Sequence, residues 1–145
     1  ARAAGVPVIL NAAPAAPLPE DFLAAVHTLI VNQLEFEEMG RPAVPRLVVT
    51  YGKAGAVCFD RDDQGQARET RQASFPVEPV DTTAAGDAFC AAATVASLEQ
   101  AHPRDWLPFG TAAGALACTV VGAIPALPSR EAVEALRRSA PLAQS

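Results

Sequence analysis

The sequence predicts an α/β protein in which a layered sheet is flanked by helices. Short apolar runs alternate with helical patterns in the first half of the chain, as strands buried on both faces of a sheet do. Helical patterns dominate from residue 87 to near the end. Half of the 145 residues are hydrophobic and only 19% are charged, which is enough apolar material for the core of one domain.

Apolar runs mark the strands in chain order. We expect strands at Val6–Asn11, Thr28–Asn32, Arg46–Tyr51 and Ala56–Asp60, then a more exposed strand in the alternating segment 69–75. A first helix is expected to open at Pro19, because proline and the two acids that follow it favour a helix N-terminus. A second helix is expected over Gln33–Met39, ended by Gly40, and Gly52–Gly55 is expected to form a turn.

The residue pattern in the second half of the chain predicts three more helices. They are expected from Asp87 to about Gln100, over Trp106–Val121, and from the N-cap Ser129 to near Arg138. The opening residues "ARAAG" have the pattern of a last helical turn closed by a C-cap glycine, Gly5. The chain is therefore expected to be a fragment, or the second half of a longer protein.

Composition disfavours several classes of function. The net charge is −5 without a basic cluster, so no nucleic-acid partner is expected. No apolar run reaches the roughly 20 residues of a membrane span, and no leader is evident, so a cytoplasmic protein is expected. Cys58, Cys90 and Cys118 lie far apart and are expected to be buried, reduced thiols rather than zinc ligands. His27 and His102 are expected at the surface or at helix ends.

The stretch "VDTTAAGDAFCAA", residues 80–92, carries the chemistry. Small residues at 84–86 would leave backbone N–H groups bare at the positive end of a helix, where a phosphate can bind. Asp87 would repel a phosphate, but it can accept the proton of a hydroxyl that attacks one. Together these features suit phosphoryl transfer to an alcohol. In the alternative interpretation Asp81 or Thr83 merely caps the helix.

The string "DTTAAGDAF" resembles the C-terminal signature of the ribokinase (PfkB-type) carbohydrate kinase family. The resemblance implies that Asp87 is the catalytic base and that Ala84, Ala85 and Gly86 form an anion hole. It covers nearly the whole chain and implies a ribokinase-like layered sheet, of which residues 1–145 are the C-terminal, nucleotide-binding half. The resemblance implies that the family's first half, with the lid strands and most sugar-binding residues, lies outside these 145 residues.

Further matches to the family imply ATP and Mg²⁺. Asn32 and Glu35 match its Asn-x-x-Glu motif, which arranges Mg²⁺, its waters and the nucleotide phosphates; without the resemblance, Asn32 is a strand-end turn residue. The nucleotide-binding turn Thr-x-Gly-x-x-Gly and a polar position near the adenine are matched at Thr50, Gly52, Gly55 and Thr111. Taken alone, Gly-x-x-Gly between strands is more often a hairpin turn.

Two departures from the family concern a cation and a crossover. The family's K⁺ positions are matched here by Asp81, Thr83, Ala117, Val120, Gly122 and Ala126. Ribokinases commonly have serine at the last of these, and Ala126 offers no side-chain oxygen. Only 14 residues separate Asn32 from Leu47, where the family usually has another helix, although about a dozen residues suffice for a parallel crossover.

Two functions remain open from the sequence. One is an ATP-dependent sugar kinase, with ribose as the expected acceptor because of the Ala-Ala-Gly-Asp form, and with fructose, a ketodeoxy sugar acid or a nucleoside as alternatives. The other is a truncated, catalytically silent half-domain that binds a nucleotide or a partner. The isolated chain is expected to bind ATP or ADP weakly and to phosphorylate no sugar at a useful rate. The sequence is also compatible with a homodimer.

Overall fold

The computed structural model describes residues 1–139, and they belong to two compact units. The first unit comprises residues 1–52 and 56–71, and the second comprises residues 53–55 and those from 72 onward. A five-stranded sheet belongs to the first unit, and the longer helices belong to the second. This combination of a sheet and flanking helices confirms the predicted α/β class. No helix within residues 1–139 has the length and apolar character needed to cross a membrane.

The sheet contains its strands in chain order. They are β1 (Ile9–Asn11), β2 (Thr28–Asn32), β3 (Arg46–Thr50), β4 (Ala56–Arg61) and β5 (Ala67–Gln72). β1, β2 and β3 are parallel, and β4 is antiparallel to β3. β5 begins earlier than the predicted segment 69–75, because the loop before it closes tightly: the Asp62 N–H donates to the Gln66 carbonyl at 2.9 Å. β1 begins at Ile9 rather than Val6.

One face of the sheet carries the core of the first unit. Leu29 and Val31 of β2 pack with Leu47 and Val49 of β3, as alternate residues of neighbouring strands do. α1 (Glu20–Leu23) and α2 (Gln33–Met39) precede β2 and β3 respectively, and Phe36 and Met39 of α2 pack against this core. The short connection through α2 is sufficient for a parallel crossover, since β2 and β3 pair in parallel over their full lengths.

Small residues allow the helices of the second unit to pack closely. α3 (Ala85–Glu99) packs against α4 (Pro103–Ala117), and α4 also packs against α5 (Arg130–Ser139). Ala93 of α3 and Ala112 of α4 are buried. A Cβ added at Gly110 would lie 2.9 Å from the Ala93 Cβ, so α4 needs glycine there. Trp106 is almost fully buried, in agreement with a packing role.

α4 is displaced towards the N-terminus relative to the predicted range 106–121. Pro103 occupies its first turn, where a missing N–H costs nothing, and the His102 Nδ1 accepts the Arg104 N–H at 3.2 Å. At the other end, the Cys118 N–H turns back to the Ala115 carbonyl. α3 likewise begins two residues before Asp87, whereas α5 begins as predicted, with the Ser129 hydroxyl accepting the Ala132 N–H at 3.3 Å.

The expectation of three buried cysteines is wrong for two of them. Cys58 of β4 is fully buried, and burial raises its pKa to about 12, so it is an inert thiol at neutral pH. Cys90 and Cys118 are only half-buried. Cys90 lies in α3 and Cys118 lies directly after α4, and each faces the packed interior only in part.

Candidate active site

The N-terminus of α3 has no side-chain cap. Its N-cap residue is Ala84, whose φ of 61° lies in the left-handed region that residues with a Cβ rarely adopt. The Ala85 N–H donates to the Thr82 carbonyl at 3.2 Å. Within residues 1–139, the N–H groups of Gly86 and Asp87 have no hydrogen-bond acceptor.

These two N–H groups are the donors that α3 can offer to an anion. The sequence pointed to residues 84–86, but the Ala85 N–H is engaged and the Asp87 N–H is available. Helix geometry could have indicated this, because the second and third residues of a helix have no intrahelical acceptor for their N–H groups. A Cβ added at Gly86 would have no atom within 4 Å, so this position is open to a ligand.

The Asp87 carboxylate is exposed in the first turn of α3. Within the described residues it makes no hydrogen bond or ion pair, so its oxygens can accept a proton. The interpretation in which Asp81 or Thr83 caps α3 is wrong, since the helix has no side-chain cap. The carboxylate and the two open N–H groups therefore occupy the same helical turn.

Asp81 joins the segment before α3 to the segment after α4. Its Oδ2 accepts the Gly122 N–H at 2.8 Å and its Oδ1 accepts the Thr83 N–H at 2.9 Å. Beside it, the Cys118 carbonyl accepts the N–H groups of Val80 and Asp81, at 2.7 and 3.1 Å. The hydrogen bond from Gly122, together with those from Thr83, lowers the pKa of Asp81 to about 2. The carboxylate is therefore ionised at neutral pH. We call these four hydrogen bonds the Asp81 clasp.

The clasp brings together part of the implied K⁺ set. Asp81, Thr83 and Gly122 are adjacent through its hydrogen bonds, whereas Ala126 is buried and its N–H bonds to the Ala123 carbonyl. The Asp81 carboxylate accepts two N–H groups and a hydrogen bond from the Thr83 side chain, and a carboxylate with about four acceptor sites retains capacity beyond these three. An ionised carboxylate beside backbone carbonyls has the donor atoms that a monovalent cation takes, so these residues fit such a site.

In the first unit, Asn32 and Glu35 form a capping box at the start of α2. The Asn32 Oδ1 accepts the Glu35 N–H at 2.9 Å, and the Glu35 Oε2 accepts the Asn32 N–H at 2.7 Å. Such a reciprocal pair satisfies two donors at a helix start. Glu35 is only 9% exposed, and the box fixes the orientation of its carboxylate. This structural role was not predicted from the sequence, although the Asn-x-x-Glu spacing is the capping-box pattern.

Thr50 and Gly52 lie close to this box along the sheet. Thr50 is the register partner of Asn32, at the carboxyl ends of β3 and β2. Its hydroxyl donates to the Val31 carbonyl at 3.5 Å, and Gly52 begins a short 3-10 helix directly after β3. Ligands commonly bind at the carboxyl ends of parallel strands. The structure thus brings together four of the residues predicted to contact the nucleotide.

The other three predicted nucleotide contacts, Gly55, Gly86 and Thr111, lie in the second unit, and Gly55 and Thr111 have structural partners there. Gly55 has a φ of 100°, and a Cβ on it would meet the backbone of residues 72–74. Thr111 is 5% exposed, and its hydroxyl donates to the Leu107 carbonyl at 2.9 Å. A hydroxyl oxygen can also accept a hydrogen bond, so the predicted role of Thr111 near the adenine remains a prediction.

The chain is similar to carbohydrate kinases over nearly all of its length. The family model described as pfkB family carbohydrate kinase matches residues 1–130. Ribokinase of Bacillus subtilis is 38% identical over 142 residues, which cover 90% of this chain and 46% of that protein. Ribokinase of Arabidopsis thaliana is 33% identical over 152 residues, which cover 91% of this chain and 39% of that protein.

The chain is also similar to solved structures of ribokinases. Arabidopsis thaliana ribokinase, in a complex with ribose and ATP, aligns with a TM-score of 0.85 at 32% identity, over 95% of this chain and 49% of that one. Thermotoga maritima ribokinase aligns with a TM-score of 0.79 at 30% identity, over 92% and 49%. The chain spans about half the length of these solved structures and less than half of the two curated relatives.

Proposed function

Because the chain belongs to the pfkB family of carbohydrate kinases, we propose that it supplies the nucleotide-binding and base-bearing half of an ATP-dependent sugar kinase. One observation carries the proposal. The uncapped start of α3 presents the N–H groups of Gly86 and Asp87 in the same turn as the exposed Asp87 carboxylate. Donors for a phosphoryl group and an acceptor for a hydroxyl proton are thus adjacent.

In the proposed reaction, Asp87 accepts the proton of a sugar hydroxyl while that oxygen attacks the γ-phosphorus of ATP. The new bond joins the sugar oxygen to phosphorus, and the bond from phosphorus to the β-phosphate oxygen breaks. ADP leaves with the electron pair of that bond, and Asp87 later releases its proton to solvent. The N–H groups of Gly86 and Asp87 stabilise the negative charge on the transferring group.

Two cations fit residues of the chain. Mg²⁺ would be held with the nucleotide through waters oriented by Glu35 and Asn32, and it neutralises phosphate charge when bound. Residues 1–139 contain no group of three or more His, Cys, Asp and Glu side chains arranged to hold a metal. A monovalent cation would be held by Asp81 and nearby carbonyls, adding positive charge beside the start of α3.

Ribose is the proposed acceptor. The Arabidopsis relative was solved with ribose and ATP, and the Ala-Ala-Gly-Asp form of the motif resembles that of ribokinases. A plant fructokinase is 41% identical, but over only 68% of this chain. The second candidate is a catalytically silent half-domain that binds a nucleotide or a partner.

Nucleotide binding tests the proposal directly. The folded chain is expected to bind ADP in the presence of Mg²⁺, and Gly86→Val is expected to weaken this binding at least tenfold, because the new side chain would fill the open position over the two N–H groups. Isothermal titration calorimetry measures both. Ala91→Val is the matched control, since it adds the same side chain to an exposed position further along α3.

Two results would contradict the proposal. A folded wild-type chain that gives no heat with millimolar Mg·ADP would contradict a nucleotide site. Equal affinity in Gly86→Val and Ala91→Val would place the phosphates somewhere other than the start of α3.

Glu35 provides a second test, because two substitutions separate its structural role from its charge. In Glu35→Gln the amide oxygen can still accept the Asn32 N–H, so the unfolding free energy is expected to change little. Glu35→Ala removes the cap and is expected to cost about 1 kcal/mol. If the charge orients Mg²⁺ and its waters, Glu35→Gln should remove most of the gain in ADP affinity that Mg²⁺ gives. Calorimetry with and without Mg²⁺ measures that gain; an unchanged gain would limit Glu35 to capping.

A further inference from the structure

Asp81 is the only carboxylate within the described residues that connects the start of α3 to the segment after α4 through backbone N–H groups. Its two partners, Thr83 and Gly122, lie on either side of the whole α3–α4 hairpin. The contact from Asp81 to Gly122 spans 41 residues of sequence. A carboxylate that accepts two N–H groups in this way holds both segments in one arrangement.

The local effect of this arrangement is an uncapped helix. Two threonines stand directly before α3, and threonine is a favoured N-cap residue. A cap by Thr83 would take the N–H of Ala85 or Gly86, which are the second and third helical positions counted from it. Instead, Asp81 accepts hydrogen bonds from both the N–H and the side chain of Thr83, and the N-cap residue is Ala84 in the left-handed region.

We propose that Asp81 is a positioning residue whose carboxylate prevents Thr83 from capping α3 and so keeps the Gly86 N–H group, next to that of Asp87, open for phosphate. The role rests on the proposed function, since the phosphate is that of the nucleotide. It differs from cation binding, because it acts through N–H groups of the chain itself. The strained Ala84 is the local cost of this arrangement.

The experiment compares Asp81→Ala and Asp81→Asn with the control Asp105→Ala, which removes an exposed acid from the first turn of α4. We expect Asp81→Ala to weaken Mg·ADP binding roughly tenfold and to leave adenosine binding unchanged, because adenosine has no phosphate. Asp81→Asn retains one acceptor oxygen and is expected to lose less. Asp105→Ala is expected to bind both ligands as the wild type does.

Amide hydrogen exchange gives a readout that needs no ligand. If a threonine cap forms when Asp81 is replaced, exchange at the Gly86 amide should slow relative to the wild type, whereas general fraying would speed it. Circular dichroism establishes that each variant is folded. Should Asp81→Ala not fold, the same comparison is made with Asp81→Asn, whose smaller effects have the same sign.

Four results would overturn the inference: unchanged ADP affinity in a folded Asp81 variant, equal losses for ADP and adenosine, faster exchange at Gly86, or a difference from wild type that vanishes when K⁺ is replaced by tetramethylammonium. The last result would assign Asp81 to cation binding alone. Failure of the proposed function is distinguishable, because then the wild-type chain binds no ADP while exchange at Gly86 still reports on the cap.

Discussion

Replacing Asp87 with Asn is expected to lower the turnover of the complete kinase by roughly 10²–10⁴, the usual contribution of a general base. The substitution keeps the shape of the side chain and leaves the N–H groups of Gly86 and Asp87 in place. It removes the proton acceptor and a negative charge close to the proposed phosphate. The affinity for ADP should therefore stay the same or rise. Steady-state kinetics and ADP calorimetry on the same preparation measure both quantities.

A purely structural role for Asp87 predicts a different pattern. An acid in the first turn of a helix stabilises it by at most about 1 kcal/mol through the helix dipole. On that account Asp87→Asn would lower the melting temperature slightly and leave turnover largely intact. Asp105→Asn serves as the control, since Asp105 also lies in a first helical turn. Normal turnover by Asp87→Asn would exclude catalysis by this carboxylate.

Gly55→Ala is expected to destabilise the chain by roughly 2–5 kcal/mol. About 1–2 kcal/mol comes from the positive φ of 100°, which an L-residue adopts at a cost. A further 1–3 kcal/mol is typical of overpacking. The new Cβ would lie 2.7 Å from the Ser74 nitrogen and 2.8 Å from the Ala73 carbonyl carbon, and backbone atoms cannot rotate away as a side chain would. Urea denaturation measures the loss.

Gly65→Ala is the matched control for Gly55→Ala. Gly65 also has a positive φ, of 78°, but no atom would lie within 4 Å of its added Cβ. Its substitution should therefore cost only the conformational part, about 1–2 kcal/mol. The difference between the two variants gives the cost of the close backbone approach at Gly55. Equal losses would show that the approach relaxes easily, and Gly55 would then be retained for another reason.

The sequence predicted the elements that depend on local patterns. The buried strands β2 and β4 follow from continuous apolar runs, and Gln33–Met39 is helical and ends at Gly40 as predicted. The end of α4 was misplaced, since apolar residues continue past Ala117 and only the backbone turn at Cys118 ends the helix.

The sequence proposes residues for the candidate site but does not predict their geometry. Asp87 and Gly86 could be selected from the motif, because small residues followed by an acid suggest an anion site and a base. The left-handed Ala84 could not, since alanine carries no preference for that region. The bond from Asp81 to Gly122 joins residues 41 positions apart, and such a contact has no signature in a single sequence.

The close packing of α3 and α4 limits how this site can be altered by evolution or by design. Alanine and glycine line the contact, and a single methyl group at Gly110 would already be too near Ala93. Larger side chains would separate the helices, because the contact is already closely packed. The two packed helices therefore hold the backbone of Asp87 in a fixed position. Adjustments of its position must come from residues 80–84 and 118–122, the segments at which substitutions, insertions and directed libraries can act.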